Sequence, residues 1–83
     1  MARYTLDIKP SARKEIQNLS DSLIARLVPK LDDLAADPRP SNCRKLHGYK
    51  DLWRIRVGDF RVVYIIDDDR KRVSVAHRRD VYE

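Results

Sequence analysis

One cysteine, Cys43, is present in 83 residues, so no disulfide can form within the chain and the fold must rest on packing, with a reducing compartment its natural setting. No apolar run is long enough to span a bilayer, and the opening MARYTLDIKP has no apolar signal-peptide core. Both absences lead to the expectation of a soluble, cytoplasmic protein with no membrane contact. Cys43, His47 and His77 are too few and too scattered to make a zinc set, so neither a metal nor a cofactor is expected. Repeats and low-complexity tracts are also missing. The length suits one small domain over residues 1–83, with a modest core and a thin stability margin.

What the chain has in excess is positive charge. Its net charge is +5, and the surplus lies in the second half: seven Lys/Arg face six Asp/Glu through residue 43, against eleven and seven from Arg44 onward. Such a balance directs attention to phosphate-rich partners or an acidic protein partner, without bearing on the fold.

The hydrophobic pattern orders the chain. Tyr4, Leu6 and Ile8 alternate with Thr5 and Asp7, which predicts a strand ending at Lys9-Pro10. Ser11 is the expected cap of a helix whose apolar positions are Ala12, Ile16 and Leu19. Ser20-Asp21 caps a second helix, which carries the stripe Leu23, Leu27, Leu31 and Leu34. Pro29 falls inside that pattern, where it removes a backbone donor and costs on the order of 3 kcal/mol, so a kink or break is expected there. Asp37-Pro38-Arg39-Pro40 ends the helix. A short edge strand around Arg44 to Leu46, a turn at Gly48, a hairpin over Leu52 to Tyr64, a charged turn at Asp67 to Lys71 and a last strand from Arg72 to Arg78 follow. The expected architecture is α+β: an N-terminal strand, an antiparallel helix pair, then a C-terminal antiparallel meander, with both helices on one face of the sheet.

Within the hairpin, LWRIRVGDFRVVY, period-two alternation on both sides of Gly58-Asp59 sets the faces. Opposite residues share a face, so Trp53, Ile55, Val57, Phe60, Val62 and Tyr64 form an apolar surface, while Arg54, Arg56 and Arg61 emerge on the other side with Val63. Arg56 then faces Arg61, and like charges directly opposite destabilise a strand pair. An anion would relieve that repulsion. The bland alternative, a merely solvated strand face, stands about even with it on pattern alone. Trp53, Phe60 and Tyr64 belong by parity under the helices rather than on a base-stacking platform. If Val73 and Val75 point to the helices, Arg78 joins the arginine face.

The segment Lys45 to Tyr64, KLHGYKDLWRIRVGDFRVVY, followed by a charged turn and by HRRDVY at His77 to Tyr82, resembles the RelE/ParE superfamily of type II toxin–antitoxin toxins, in its RelE-like branch. Strand, helix pair and meander follow that family's order over nearly the whole chain. The resemblance implies a ribosome-dependent endoribonuclease that cuts messenger RNA in the A site by 2′-hydroxyl attack and thereby inhibits translation. It implies as partners a RelB-like antitoxin, through which the toxin mainly oligomerises, the ribosome with its ribosomal RNA, and messenger RNA.

Carried over residue by residue, the resemblance gives Arg61 the transition-state charge, Arg54 and Arg56 the places of the family's basic strand pair, Arg78 a phosphate, and Tyr82 the reacting nucleotide. Lys45, His47 and Lys50 are candidate RNA contacts. Two departures stand out. Arginine stays protonated, so Arg54 and Arg56 cannot serve as proton acceptors, which turns attention to His77 as base or acid. A C-terminal helix found in some relatives is not expected, since the chain stops at Glu83. Two other readings share the fold: a ParE-like inhibitor of DNA gyrase, and a catalytically inactive, antitoxin-bound regulator.

Overall fold

The computed structural model describes residues 3–46 and 52–76. Its elements are β1 (Thr5–Ile8), α1 (Pro10–Gln17), α2 (Asp21–Ala36), β2 (Arg44–Lys45), β3 (Leu52–Val57), β4 (Phe60–Asp67) and β5 (Arg72–Ala76). The strands form one sheet in the order β1-β5-β4-β3-β2, antiparallel from β2 to β5, with β1 parallel to β5. The expected α+β architecture is therefore present, in a mixed sheet. No helix among the described residues is long and apolar enough to cross a membrane.

The core lies between the helices and one sheet face. Leu27, Leu31 and Leu34 of α2 pack with Ile55, Val57, Val62, Tyr64, Ile66, Val73 and Val75. Each of these strand residues has the parity that the alternation assigns to the inner face, and burying large aliphatic side chains stabilises by about 1.5–3 kcal/mol apiece. Tyr64 is fully buried, and its hydroxyl donates to the Pro38 carbonyl oxygen at 2.8 Å. Burial raises the ionisation of this phenol well above the usual tyrosine range.

Two helix expectations need correction. Ser11 does not cap α1: Pro10 takes the first helical position, where a missing N–H is no loss, and Lys9 is the cap residue with no side-chain bond. Pro29 does not break α2, which continues through it from Asp21 to Ala36. Proline deprives the Ala25 carbonyl of its helical donor, but Ala25 and Pro29 are both exposed, so water can take the donor's place. The second cap is as expected: the Ser20 hydroxyl accepts from the Leu23 amide at 3.2 Å.

A polar clamp fixes the connector between α2 and β2. The Arg39 guanidinium donates to both carboxylate oxygens of Asp68 at 3.2 and 2.9 Å, and the Tyr4 hydroxyl donates to the same group at 2.5 Å. These three hydrogen bonds, those from Arg39 foremost, hold the Asp68 carboxyl down at about 2. Arg39 also lies 5.1 Å from the centroid of the Trp53 ring. One side chain thereby ties the chain entering β2 to the β4–β5 turn and to the inner edge of β3.

Candidate functional site

The hairpin register is the one that the alternation predicts: Trp53 pairs with Tyr64, Ile55 with Val62, Arg56 with Arg61 and Val57 with Phe60. The turn is Gly58-Asp59, with Gly58 at φ +61°, a conformation that glycine adopts without strain. A side chain at Gly58 would also meet Arg26 Nη1 and Leu23 Cδ1 at 3.4 Å. The hairpin tip therefore sits close under α2, with the Arg26 guanidinium against it.

On the face away from the helices, Arg54, Arg56 and Arg61 are joined by Arg44, which pairs directly with Arg54. None of these four makes an ion pair among the described residues. Among the described residues the acids on this side lie toward the other edge of the sheet: Asp7 sits 3.4 Å from Lys9, and Asp67 is paired across the strands with Arg72 and lies 3.9 Å from Arg70. Leu52 and Val63, both buried, form an apolar floor between the guanidiniums. Among the described residues the result is a concentration of arginine without an ion pair over an apolar base, where planar donor forks suit phosphate oxygens.

A cleft adjoins this patch. β5 pairs with β4 through Ala76, the last described residue of the chain, opposite Val63. α1, packed on β5, closes the far wall. The cleft is about 280 Å³, and its described lining includes Glu15 and Ile16 of α1, Arg54, Arg61, Phe60, Val63 and Ala76. Guanidiniums beside apolar side chains suit a nucleotide, whose phosphate and base differ in the same way.

The structure brings together Arg54, Arg56 and Arg61 of the sequence candidates. Lys45 pairs with Trp53 and so has the opposite parity, away from the arginine face. His47, Lys50, His77, Arg78 and Tyr82 lie outside the described residues. Two residues of this face and its turn are not singled out by sequence: Arg44, whose register with Arg54 depends on pairing across an intervening loop, and Arg26, whose approach to the turn is tertiary. Arg72 begins β5, where the sequence predicts the last strand to begin, and lies on the arginine face.

Comparison with known proteins meets this geometry from outside. The family described as "ParE toxin of type II toxin-antitoxin system, parDE" matches residues 6–82. A toxin designated RelE1 from Methanocaldococcus jannaschii is 26% identical, over 98% of this chain and 97% of its own length. The RelE–RelB complex of Pyrococcus horikoshii OT3 contains a chain that superposes with a TM-score of 0.79 at 30% identity, covering 90% of each chain. The isolated RelE toxin of E. coli superposes with a TM-score of 0.74 at 32% identity, covering 95% of this chain and 90% of that one. The chain belongs to the RelE/ParE superfamily of type II toxin–antitoxin toxins, and its fold is that of RelE.

Proposed function

We propose that this toxin is a metal-independent messenger-RNA endoribonuclease that acts in the ribosomal A site in the cytoplasm, and that a RelB-like antitoxin restrains it. The observation that carries the reading is the direct opposition of Arg56 and Arg61, flanked by Arg54 and Arg44, with no ion pair among the described residues. Such an arrangement stores repulsion that a bound polyanion releases.

In the proposed reaction a ribose 2′-hydroxyl attacks its own 3′-phosphate. Negative charge grows on the non-bridging oxygens, and Arg61 is the donor aimed at them, in a site where one such donor contributes about 3 kcal/mol. Arg54 and Arg56 hold the flanking phosphate oxygens, and Arg78 a further one. His77 takes part in proton transfer, and Tyr82 orients the reacting nucleotide. Lys45, His47 and Lys50 contact RNA beyond the scissile phosphate. The antitoxin covers the basic face and provides the main route to oligomers, as befits a relative of RelE chains solved with RelB.

The ParE description of the matching family supports a second reading, inhibition of DNA gyrase. Pulse labelling after induced expression separates the readings. The ribonuclease reading predicts that amino-acid incorporation falls first while DNA remains intact. Gyrase-dependent DNA breaks with unimpaired translation would instead favour the second reading, and unaffected growth an inactive regulator.

A further inference from the structure

Two like-charged pairs stand side by side on the sheet face away from the helices. Arg44 is the Cα partner of Arg54 across β2 and β3, and Arg56 is the partner of Arg61 across β3 and β4. Neighbouring strands lie about 4.8 Å apart and an antiparallel strand rises about 3.4 Å per residue, which sets the midpoints of the two pairs about 8 Å apart on the sheet. That separation is of the order of one nucleotide step along a single strand, within the play of long arginine side chains.

The Arg44–Arg54 pair costs the fold in the same way as its neighbour, since like charges directly opposite destabilise a strand pair. No ion pair among the described residues relieves either arginine. Charge on an edge strand ordinarily blocks pairing with another chain. β2 is such a strand among the described residues, and Lys45, next to Arg44, supplies that charge from the other face. Edge protection therefore does not call for a second cation set directly opposite Arg54. Arg54 is half-buried and Arg44 exposed, so one guanidinium is steadied by its surroundings while the other can swing toward a ligand.

We infer that Arg44 and Arg54 form a second phosphate site, which holds the messenger phosphate next to the scissile one, an inference that rests on the ribonuclease reading. Arg61 meets the scissile phosphate with Arg56 beside it, and Arg54 and Arg44 close on its neighbour from two strands. Two planar forks on one phosphate satisfy several oxygen lone pairs at once, where lysine would offer a point charge. Gripped at two successive phosphates, the messenger is fixed in direction along the sheet as well as in position. Arg44 touches no reacting atom, so it serves binding and not the chemical step.

Single-turnover cleavage on programmed ribosomes, with the toxin in excess and titrated at several salt concentrations, tests the site. R44Q removes a repulsion and should fold at least as well as the wild type. It should raise the half-saturating toxin concentration about two- to fivefold at low salt and flatten the slope of log affinity against log salt by about 0.7. The saturating rate should stay as it is, because the contact is made equally before and during reaction. R44K keeps the charge and should keep the slope. Messengers with one uncharged methylphosphonate linkage, on the 5′ or the 3′ side of the scissile phosphate, locate the contact: one of the two should weaken binding to the wild type and have no further effect on R44Q. An unchanged salt slope in R44Q, a lower saturating rate, no penalty from either neutral linkage, or penalties that add in full to that of R44Q at both positions would overturn the inference alone. Failure of the wild type to cut would remove the ribonuclease reading and the inference together.

Discussion

Replacing Arg56 by glutamine should make the folded protein more stable, not less. Arg56 and Arg61 are Cα partners across β3 and β4, and both are exposed. Partners in this relation have Cβ atoms about 4.5–5.5 Å apart, which lets the guanidinium centres splay to roughly 7 Å. Two unit charges at about 7 Å repel by about 0.6 kcal/mol at the dielectric constant of water and by about 1.2 kcal/mol at half that value. At an ionic strength of about 0.01 M the Debye length is about 30 Å, so most of this survives; at about 1 M it is about 3 Å and almost none does. A double-mutant cycle of R56Q, R61Q and R56Q/R61Q, measured by urea unfolding, should therefore give a repulsive coupling of about 0.5–1 kcal/mol in low salt that vanishes in high salt. A favourable coupling, or one that ignores salt, would refute the claim that this pair is maintained against the fold's own stability.

Other consequences concern the frame that holds the site. Y64F leaves the buried Pro38 carbonyl without its donor and should lower unfolding free energy by about 1–3 kcal/mol, which urea titration measures. The same hydroxyl gives a pH dependence. Tyr64 ionises later folded than unfolded, where its value is 10.0, so the unfolded chain loses its proton first and stability should decline as pH rises above that value, a decline that Y64F removes. P29A restores a helical donor in α2 and should raise the melting temperature, with a gain of up to about 3 kcal/mol if proline carries its full helix-interior penalty. Asp68 titrates at about 2 in the fold against 3.8 unfolded. Its contribution is present above the unfolded value and is lost as pH falls toward the folded one, so acid titration of D68N should lack that component.

The hairpin was legible because its information is local. Strict alternation around Gly58-Asp59 fixes both faces, and the observed pairing of Arg56 with Arg61 follows from counting outward from the turn. The caps and helix interior were less so. Ser11 is an adequate cap by type, but Pro10 already fits the first helical position, and sequence alone does not rank the two. At Pro29 the sequence carries the penalty but not the exposure of Ala25 to water, which is a matter of how α2 lies on the sheet. The site was half legible for a similar reason. Arg44 meets Arg54 only after a loop closes, and Arg26 meets the hairpin only once α2 packs.

The account depends above all on Arg61 as the charge-stabilising donor at a scissile messenger phosphate. Purified protein should be added to ribosomes programmed with a defined messenger, and the new ends mapped by primer extension. The account predicts cuts confined to the A-site codon by the wild type, and none by an R61A protein whose circular dichroism and melting show it folded. Cleavage that persists in folded R61A, or cuts spread along the messenger without regard to the ribosome, would contradict it.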